Sequence, residues 1–413
     1  MLIDYENNYL KIENVSITEL SKKYSTPFYV YSTKIINQNY NKLRSNLNSN
    51  IYYSVKANSN QAFISLFSKL GAGADVVSGE ELRRSLSADV KPSKIIFEGV
   101  GKSQNDIILA IKNNIKQINV ESLEELELIN IVSKNLNCKA NIGIRINPDV
   151  EAETDNKIST GRKSDKFGIN FIEIPEVIKK INNLKNIKFI GLSCHIGSQI
   201  FSLRVYENMF KKMKQAVNIF HENNLNIENL NLGGGMGFDY TKKKIFNING
   251  LGKLVKKYFS NIPYNISFEP GRYLTANSGI LITKIVMTKV SNKTNFLIVD
   301  AGMNTLLRPA LYNAFHNIIP AINKKYKINY CVAGPICESS DIFVKNILLP
   351  KQNINDILII EDVGAYGSVM SSNYNSKIFP TEIMVDDKNH SIIRSSQSID
   401  KLINLDNIPD WIR

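Results

Sequence analysis

The sequence has only four cysteines in 413 residues, Cys138, Cys194, Cys331 and Cys337, with no C-x-x-C pair and no repeated spacing. A structural zinc site is therefore not expected, no metal is assigned, and the pattern fits a reduced, cytosolic protein. No run of 18 or more apolar residues occurs, which removes the membrane-spanning class. The start, Met1-Leu2-Ile3-Asp4-Tyr5-Glu6, has no basic segment leading into an apolar core, so no signal peptide is expected. Internal repeats and low-complexity linkers are also missing. What remains is ordinary globular composition, 43% apolar and 22% charged, long enough to bury about three quarters of its chain surface.

The net charge of +13 raises the question of a nucleic-acid partner. The lysines, however, are spread through Asn/Ile/Lys-rich sequence, and the densest run, Lys242-Lys243-Lys244, reads as a loop. No basic stripe is interleaved with aromatics as single-strand binders require. A lysine-rich surface accounts for the charge, and neither a nucleic acid nor a membrane is expected as a partner.

Eight short β-branched or aromatic runs alternate with amphipathic stretches between about residues 52 and 272. The runs are Ile51–Ala57, Ala74–Val77, Ile95–Glu98, Gln117–Val120, Ile142–Ile146, Phe189–His195, Leu230–Leu232 and Ile266–Glu269. Helical patterns between them include Gln61–Leu70, Glu80–Leu86, Gln104–Asn113, Leu123–Leu136, Ile174–Ile181 and Val205–His221. Ser78-Gly79-Glu80-Glu81 and Ser122-Leu123-Glu124-Glu125 read as capping boxes, and Ser103-Gln104-Asn105-Asp106 as a weaker one. Strand, capped helix, strand, repeated eight times, predicts an α/β fold with a (β/α)₈ barrel over residues 26–279. An open doubly wound sheet is second, because no G-x-G-x-x-G follows an early strand. Beyond Arg272 the texture turns to strands (Ile280–Val290, Phe296–Asp300, Tyr330–Val332, Ile357–Glu361, Ile383–Val385), predicting a β-rich domain over 280–413 that residues 1–25 join.

In such a barrel the active site forms where the strands end. The first run ends Tyr53-Ser54-Val55-Lys56-Ala57-Asn58, and alternation puts Ser54 and Lys56 on one face. A lysine there is either solvated, which is the commoner case, or used covalently. The sixth ends Cys194-His195-Ile196-Gly197-Ser198-Gln199; the imidazole could stack on a flat ligand, act as a base, or be a hydrogen-bonded core histidine. The seventh ends Leu232-Gly233-Gly234-Gly235-Met236-Gly237, a tight turn or a run whose N–H groups cradle a phosphate. The eighth ends Glu269-Pro270-Gly271-Arg272, an internal salt bridge or a carboxylate for a protonated ring nitrogen beside a guanidinium for an anion. Together these are the parts a pyridoxal-phosphate site needs.

These segments resemble the signatures of the alanine-racemase-fold pyridoxal-phosphate decarboxylases, and most closely their diaminopimelate-decarboxylating branch. The likeness extends through Gly73-Ala74-Asp75-Val76-Val77-Ser78-Gly79, Ser159-Thr160-Gly161, Lys166-Phe167-Gly168, Arg308-Pro309-Ala310-Leu311-Tyr312, Gly334-Pro335-Ile336-Cys337-Glu338-Ser339 and Gly364-Ala365-Tyr366-Gly367. The resemblance implies that Lys56 holds the cofactor covalently and that His195 stacks on its ring. It implies cofactor contacts from Ser198, Gly233, Gly234, Gly235, Glu269, Pro270, Gly271, Arg272 and Tyr366, with Glu269 on the pyridine nitrogen. Arg272, Arg308, Tyr312, Glu338 and Tyr366 would hold the distal end of the substrate. Cys337 would be the proton donor, reaching the site from the second subunit of a homodimer. Two positions depart from the family pattern: Asp155-Asn156-Lys157-Ile158 lacks a histidine common in that loop, and Ser339-Ser340 has serine where glycine is common.

The implied reaction is decarboxylation of meso-2,6-diaminopimelate to L-lysine. A relative acting on ornithine, arginine or a carboxylated polyamine is second; the ornithine type has Asp after its Cys, where this chain has Glu338, and Arg308 with Tyr312 suits a second carboxylate. An alanine racemase is third, since it needs a catalytic tyrosine and no distal pocket. A non-enzymatic cofactor carrier or decoy conflicts with the presence of both Lys56 and Cys337.

Overall fold

The computed structural model describes residues 3–154, 160–162, 165–260, 262–323 and 327–413. The loop Asp155–Ile158 and Ser159 lie outside them. Two compact units are present: Asn39–Phe238 with Lys244–Tyr273, and Met1–Gln38 with Asp239–Lys243 and Leu274–Arg413.

The first unit is a closed parallel barrel. Its strands are Asn50–Ser54, Gly73–Val76, Ile95–Phe97, Gln117–Val120, Ala140–Asn147, Ile187–Ser193, Asn229–Asn231 and Asn265–Phe268, each paired in parallel with the next. The ring closes where Ser267 and Phe268 pair with Asn50 and Ile51. Closure removes the open-sheet alternative. All eight runs read from the sequence are strands, although most end one to three residues earlier than the apolar pattern does.

Helix starts follow the serine signals, with one difference in detail. Ser78 and Ser122 accept hydrogen bonds from the Glu81 and Glu125 N–H groups. The return arms of those glutamates, however, reach one residue further back, to the N–H groups of Val77 (2.9 Å) and Glu121 (2.7 Å). The box that closes reciprocally is the one expected to be weaker, Ser103 with Asp106, whose shorter carboxylate stops at the Ser103 N–H. The helix Ile248–Phe259 escaped the sequence reading because Gly250 and Gly252 break its apolar pattern. Gly252 is there for close packing: a Cβ would lie 2.2 Å from the Asn46 carbonyl oxygen.

The second unit is built on a long strand, Gly279–Ser291. Its first half pairs antiparallel with both Phe28–Ser32 and Ile357–Ile360, and its second half with Thr294–Val299. Lys327–Ala333 and Ile342–Pro350 extend the sheet on one side, Thr381–Asp386 and Asn389–Arg394 on the other. The hairpin Ile3–Glu6/Tyr9–Ile12 adds Ile3, Leu10 and Ile12 to a core with Phe28, Val30, Ile280, Ile282, Ile359 and Ile383. Among the described residues, no helix is long and apolar enough to cross a membrane.

Candidate active site

The first barrel strand stops at Ser54, and Lys56 sits in the 3₁₀ turn Val55–Ala57 that follows. Strand alternation therefore does not place Lys56; the turn does. That turn is tied down from both ends. The Tyr53 hydroxyl donates to the Asn58 carbonyl (2.8 Å), and the Ser54 N–H donates to the Pro270 carbonyl (3.2 Å). A Cβ on Gly271 would lie 2.9 Å from the Ala57 Cβ, so the Glu269–Arg272 turn and the Lys56 turn are packed as one piece.

Next to Lys56 lies Asp75 of the second strand, buried, with one oxygen accepting from Ser54 Oγ (2.7 Å) and the other without a hydrogen-bond partner among the described residues. Burial raises its carboxyl pKa, opposed by the Lys56 ammonium. Glu269 is buried as well. Its N–H donates to the Gly233 carbonyl (2.8 Å) and its carboxylate accepts from the Asn231 amide. Burial first, then the charges of Asp75 and Glu98, hold it well above the ordinary carboxylate range, while Lys56 pulls the other way.

His195 accepts a hydrogen bond at Nδ1 from the Gly234 N–H (3.1 Å). Burial, then the cations Lys56 and Arg145, hold its pKa well below 6.5. The ring is therefore neutral, with its proton on Nε2. Arg272 donates from Nε to Ser198 Oγ (3.3 Å).

The glycine run is shaped by packing as much as by ligand access. Gly233 and Gly235 have φ of 65° and 84°, a region costly for side-chain-bearing residues, and a Cβ on Gly234 would lie 2.1 Å from the Glu269 carbonyl oxygen. Its N–H groups are not all free for an anion: Gly233 donates to Asn231 Oδ1 (2.9 Å) and Gly234 to His195. Gly235 N–H has no partner among the described residues.

Behind this mouth lies a polar cluster that the sequence reading missed. Arg145 contacts Glu121 (2.7 Å) and Glu98 (3.8 Å) and lies 4.9 Å over the Phe167 ring. Glu98 also accepts from Asn119, and Glu121 from the N–H groups of Gly99 and Gly168. Asp75, Glu98 and Glu121 each stand at the end of a consecutive barrel strand, a signal that could have found them.

Arg308, Tyr312, Cys337, Glu338 and Tyr366 all belong to the β-rich unit. Arg308, buried, opens the short helix Arg308–Tyr312, donates to His316 Nε2 (2.8 Å) and lies 4.3 Å over the Tyr240 ring. Because His316 accepts there, its Nδ1 proton is directed to the Glu361 carbonyl (2.9 Å). His316 and Tyr240 were not singled out in the sequence, since nothing local marks them. Tyr366 has φ of +55°, unfavourable for a bulky residue and characteristic of functional turns. Cys337 and Glu338 are exposed in the loop between Lys327–Ala333 and Ile342–Pro350.

Residues 33–276 match the family described as pyridoxal-dependent decarboxylase, pyridoxal binding domain. The chain belongs to the pyridoxal-dependent decarboxylases. Along 97% of its length it is 36% identical to the diaminopimelate decarboxylase of Aquifex aeolicus, covering 96% of that protein. The crystal structure of the diaminopimelate decarboxylase of M. jannaschii in complex with L-lysine superimposes with a TM-score of 0.95 at 36% identity, covering all of this chain and 99% of that one. The Helicobacter pylori enzyme complexed with L-lysine gives 0.91 at 37% identity, over 94% and 98% of the two chains.

The barrel residues fit the cofactor of this decarboxylase family. Among the described residues, the buried carboxylates Asp75, Glu98, Glu121 and Glu269 are opposed by Lys56 and Arg145, with Lys102, bonded to Glu125 (2.8 Å), acting on Glu98 as well. A protonated pyridine nitrogen held by Glu269 would add positive charge to this acid-rich cluster. The flat face of a neutral His195 suits an aromatic ring, and the N–H of Gly235, which packs against Gly197, together with the bonded pair Ser198 and Arg272 suits a phosphate.

Proposed function

We propose that this chain decarboxylates meso-2,6-diaminopimelate to L-lysine with pyridoxal phosphate, as a cytoplasmic homodimer. The observation that carries the proposal is the packing of Lys56, Asp75, His195 and Glu269 into one charged mouth at the strand ends of a barrel whose relatives are named diaminopimelate decarboxylases along nearly their whole length.

The bound cofactor supplies a sink for the electron pair left at the substrate Cα when CO₂ departs. Lys56 Nζ would carry the cofactor and be released by the incoming substrate amine. Glu269, placed among other buried acids, would keep the proton on the ring nitrogen. His195 would cover one ring face without adding charge, and Ser198, Gly235 and Arg272 would hold the phosphate. Tyr366 would contact both cofactor and substrate. Arg308, pre-aligned by His316 and Tyr240, would with Arg272 and Tyr312 bind the distal carboxylate, and Glu338 the distal ammonium. The Cys337 thiol would return a proton to Cα. As the family resemblance implies, Cys337, exposed on its own chain, would serve the site of a second copy.

A substrate panel tests this: holoenzyme should release CO₂ from meso-diaminopimelate with L-lysine as product, and not from ornithine, arginine or a carboxylated polyamine. Release from ornithine alone sinks the substrate assignment. Cys337→Ala should keep the cofactor's visible absorbance while kcat falls about a hundredfold or more, the scale of a lost general acid. Specific activity should also fall on dilution as dimers separate; activity independent of concentration down to monomer would refute sharing of the site.

A further inference from the structure

The loop that carries Cys337 and Glu338 is held from two sides. Within it, the buried Asp341 carboxylate accepts from the Met303 N–H (2.6 Å) through one oxygen and the Ile336 N–H (2.7 Å) through the other. Outside it, the segment Tyr374–Ser376 makes two contacts to the functional pair. Asn375 Oδ1 accepts from the Cys337 N–H (2.8 Å), and the Tyr374 hydroxyl donates to Glu338 Oε2 (2.7 Å). Asn375 has φ of +54°, a conformation asparagine tolerates better than most residues. Ser340 Oγ lies 3.3 Å from the second Glu338 oxygen, so both oxygens are held. Hydrogen bonding to that carboxylate raises the Tyr374 phenol above its ordinary value, so it keeps its proton and remains the donor.

An exposed glutamate samples several rotamers, and one fixed by charge-assisted hydrogen bonds meets its ligand with that freedom already lost. We propose that Tyr374 is a positioning residue for substrate selection: its hydroxyl fixes the Glu338 carboxylate, while Asn375 fixes the backbone that presents the Cys337 thiol. Tyr374 thereby sets the preference for a substrate with a second ammonium group. This rests on the reading that Glu338 receives the distal ammonium.

The test compares holoenzyme variants on meso-diaminopimelate and on 2-aminopimelate, which lacks the distal amine. Tyr374→Phe should raise KM for diaminopimelate about tenfold, leave kcat within about twofold, and shrink the preference between the two substrates by the same factor. Asn375→Gly keeps the left-handed backbone accessible and removes the acceptor; it should lower kcat severalfold with KM unchanged. Cofactor absorbance and the thermal midpoint should stay at wild-type values in both. A preference lost in Glu338→Gln but intact in Tyr374→Phe overturns the positioning role alone. A preference intact in Glu338→Gln overturns the reading of Glu338 and the proposal with it.

Discussion

Lys56→Ala is expected to abolish turnover, by about four orders of magnitude or more, because it removes the group that would hold the cofactor covalently. The protein itself should still fold. Lys56 is half-buried in a 3₁₀ turn whose geometry is held by other residues: Tyr53 to Asn58, Ser54 to Pro270, and Gly271 against Ala57. Titration with pyridoxal phosphate should give free-aldehyde absorbance and no lysine-bound band, alongside a CO₂-release assay at background. A variant that retained the lysine-bound band would move the attachment point elsewhere and end the assignment. Removing the ammonium also takes away the cation that opposes burial at Asp75, so the Asp75 pKa should climb further.

Glu269→Gln is expected to lower kcat about 10²–10³-fold, the scale on which one preorganised electrostatic group acts, while the lysine-bound absorbance persists. The amide preserves the shape and can still meet Asn231, so the loss reports charge rather than packing. Stability should move the other way. In the cofactor-free protein, burial and the neighbouring acids Asp75 and Glu98 disfavour the ionised Glu269. Folding at neutral pH is opposed by a carboxyl whose folded pKa exceeds its unfolded value, and this penalty vanishes once pH falls below the unfolded value. Near pH 7 the Glu269→Gln apoprotein should therefore melt no lower than wild type, and below about pH 4 the difference should close. A kcat within twofold of wild type would remove Glu269 from the chemistry.

Local patterns in this chain are strong because they need only near neighbours. Each apolar run became a barrel strand because β-branched and aromatic residues suit a strand buried on both faces. Ser78, Ser103 and Ser122 start helices because a serine oxygen can meet an N–H three residues on. Ile248–Phe259 was lost to the same local logic, since Gly252 answers to Asn46, far away in sequence.

The chain order of strand ends, and the residue types standing at them, were thus determined by the sequence itself, as were Lys56, His195, Glu269 and Arg272 as candidates. Tertiary structure alone decided what those groups are chemically. The neutral state of His195 comes from burial and from the charges of Lys56 and Arg145, and its tautomer from a Gly234 N–H thirty-nine positions away. Glu269 owes its elevated pKa first to burial and then to Asp75 and Glu98, and Arg308 its alignment to Tyr240 and His316. Proton affinity and orientation depend on burial and on charges a few ångströms away in space, and barrel closure brings together residues whose spacing along the chain has no period to read.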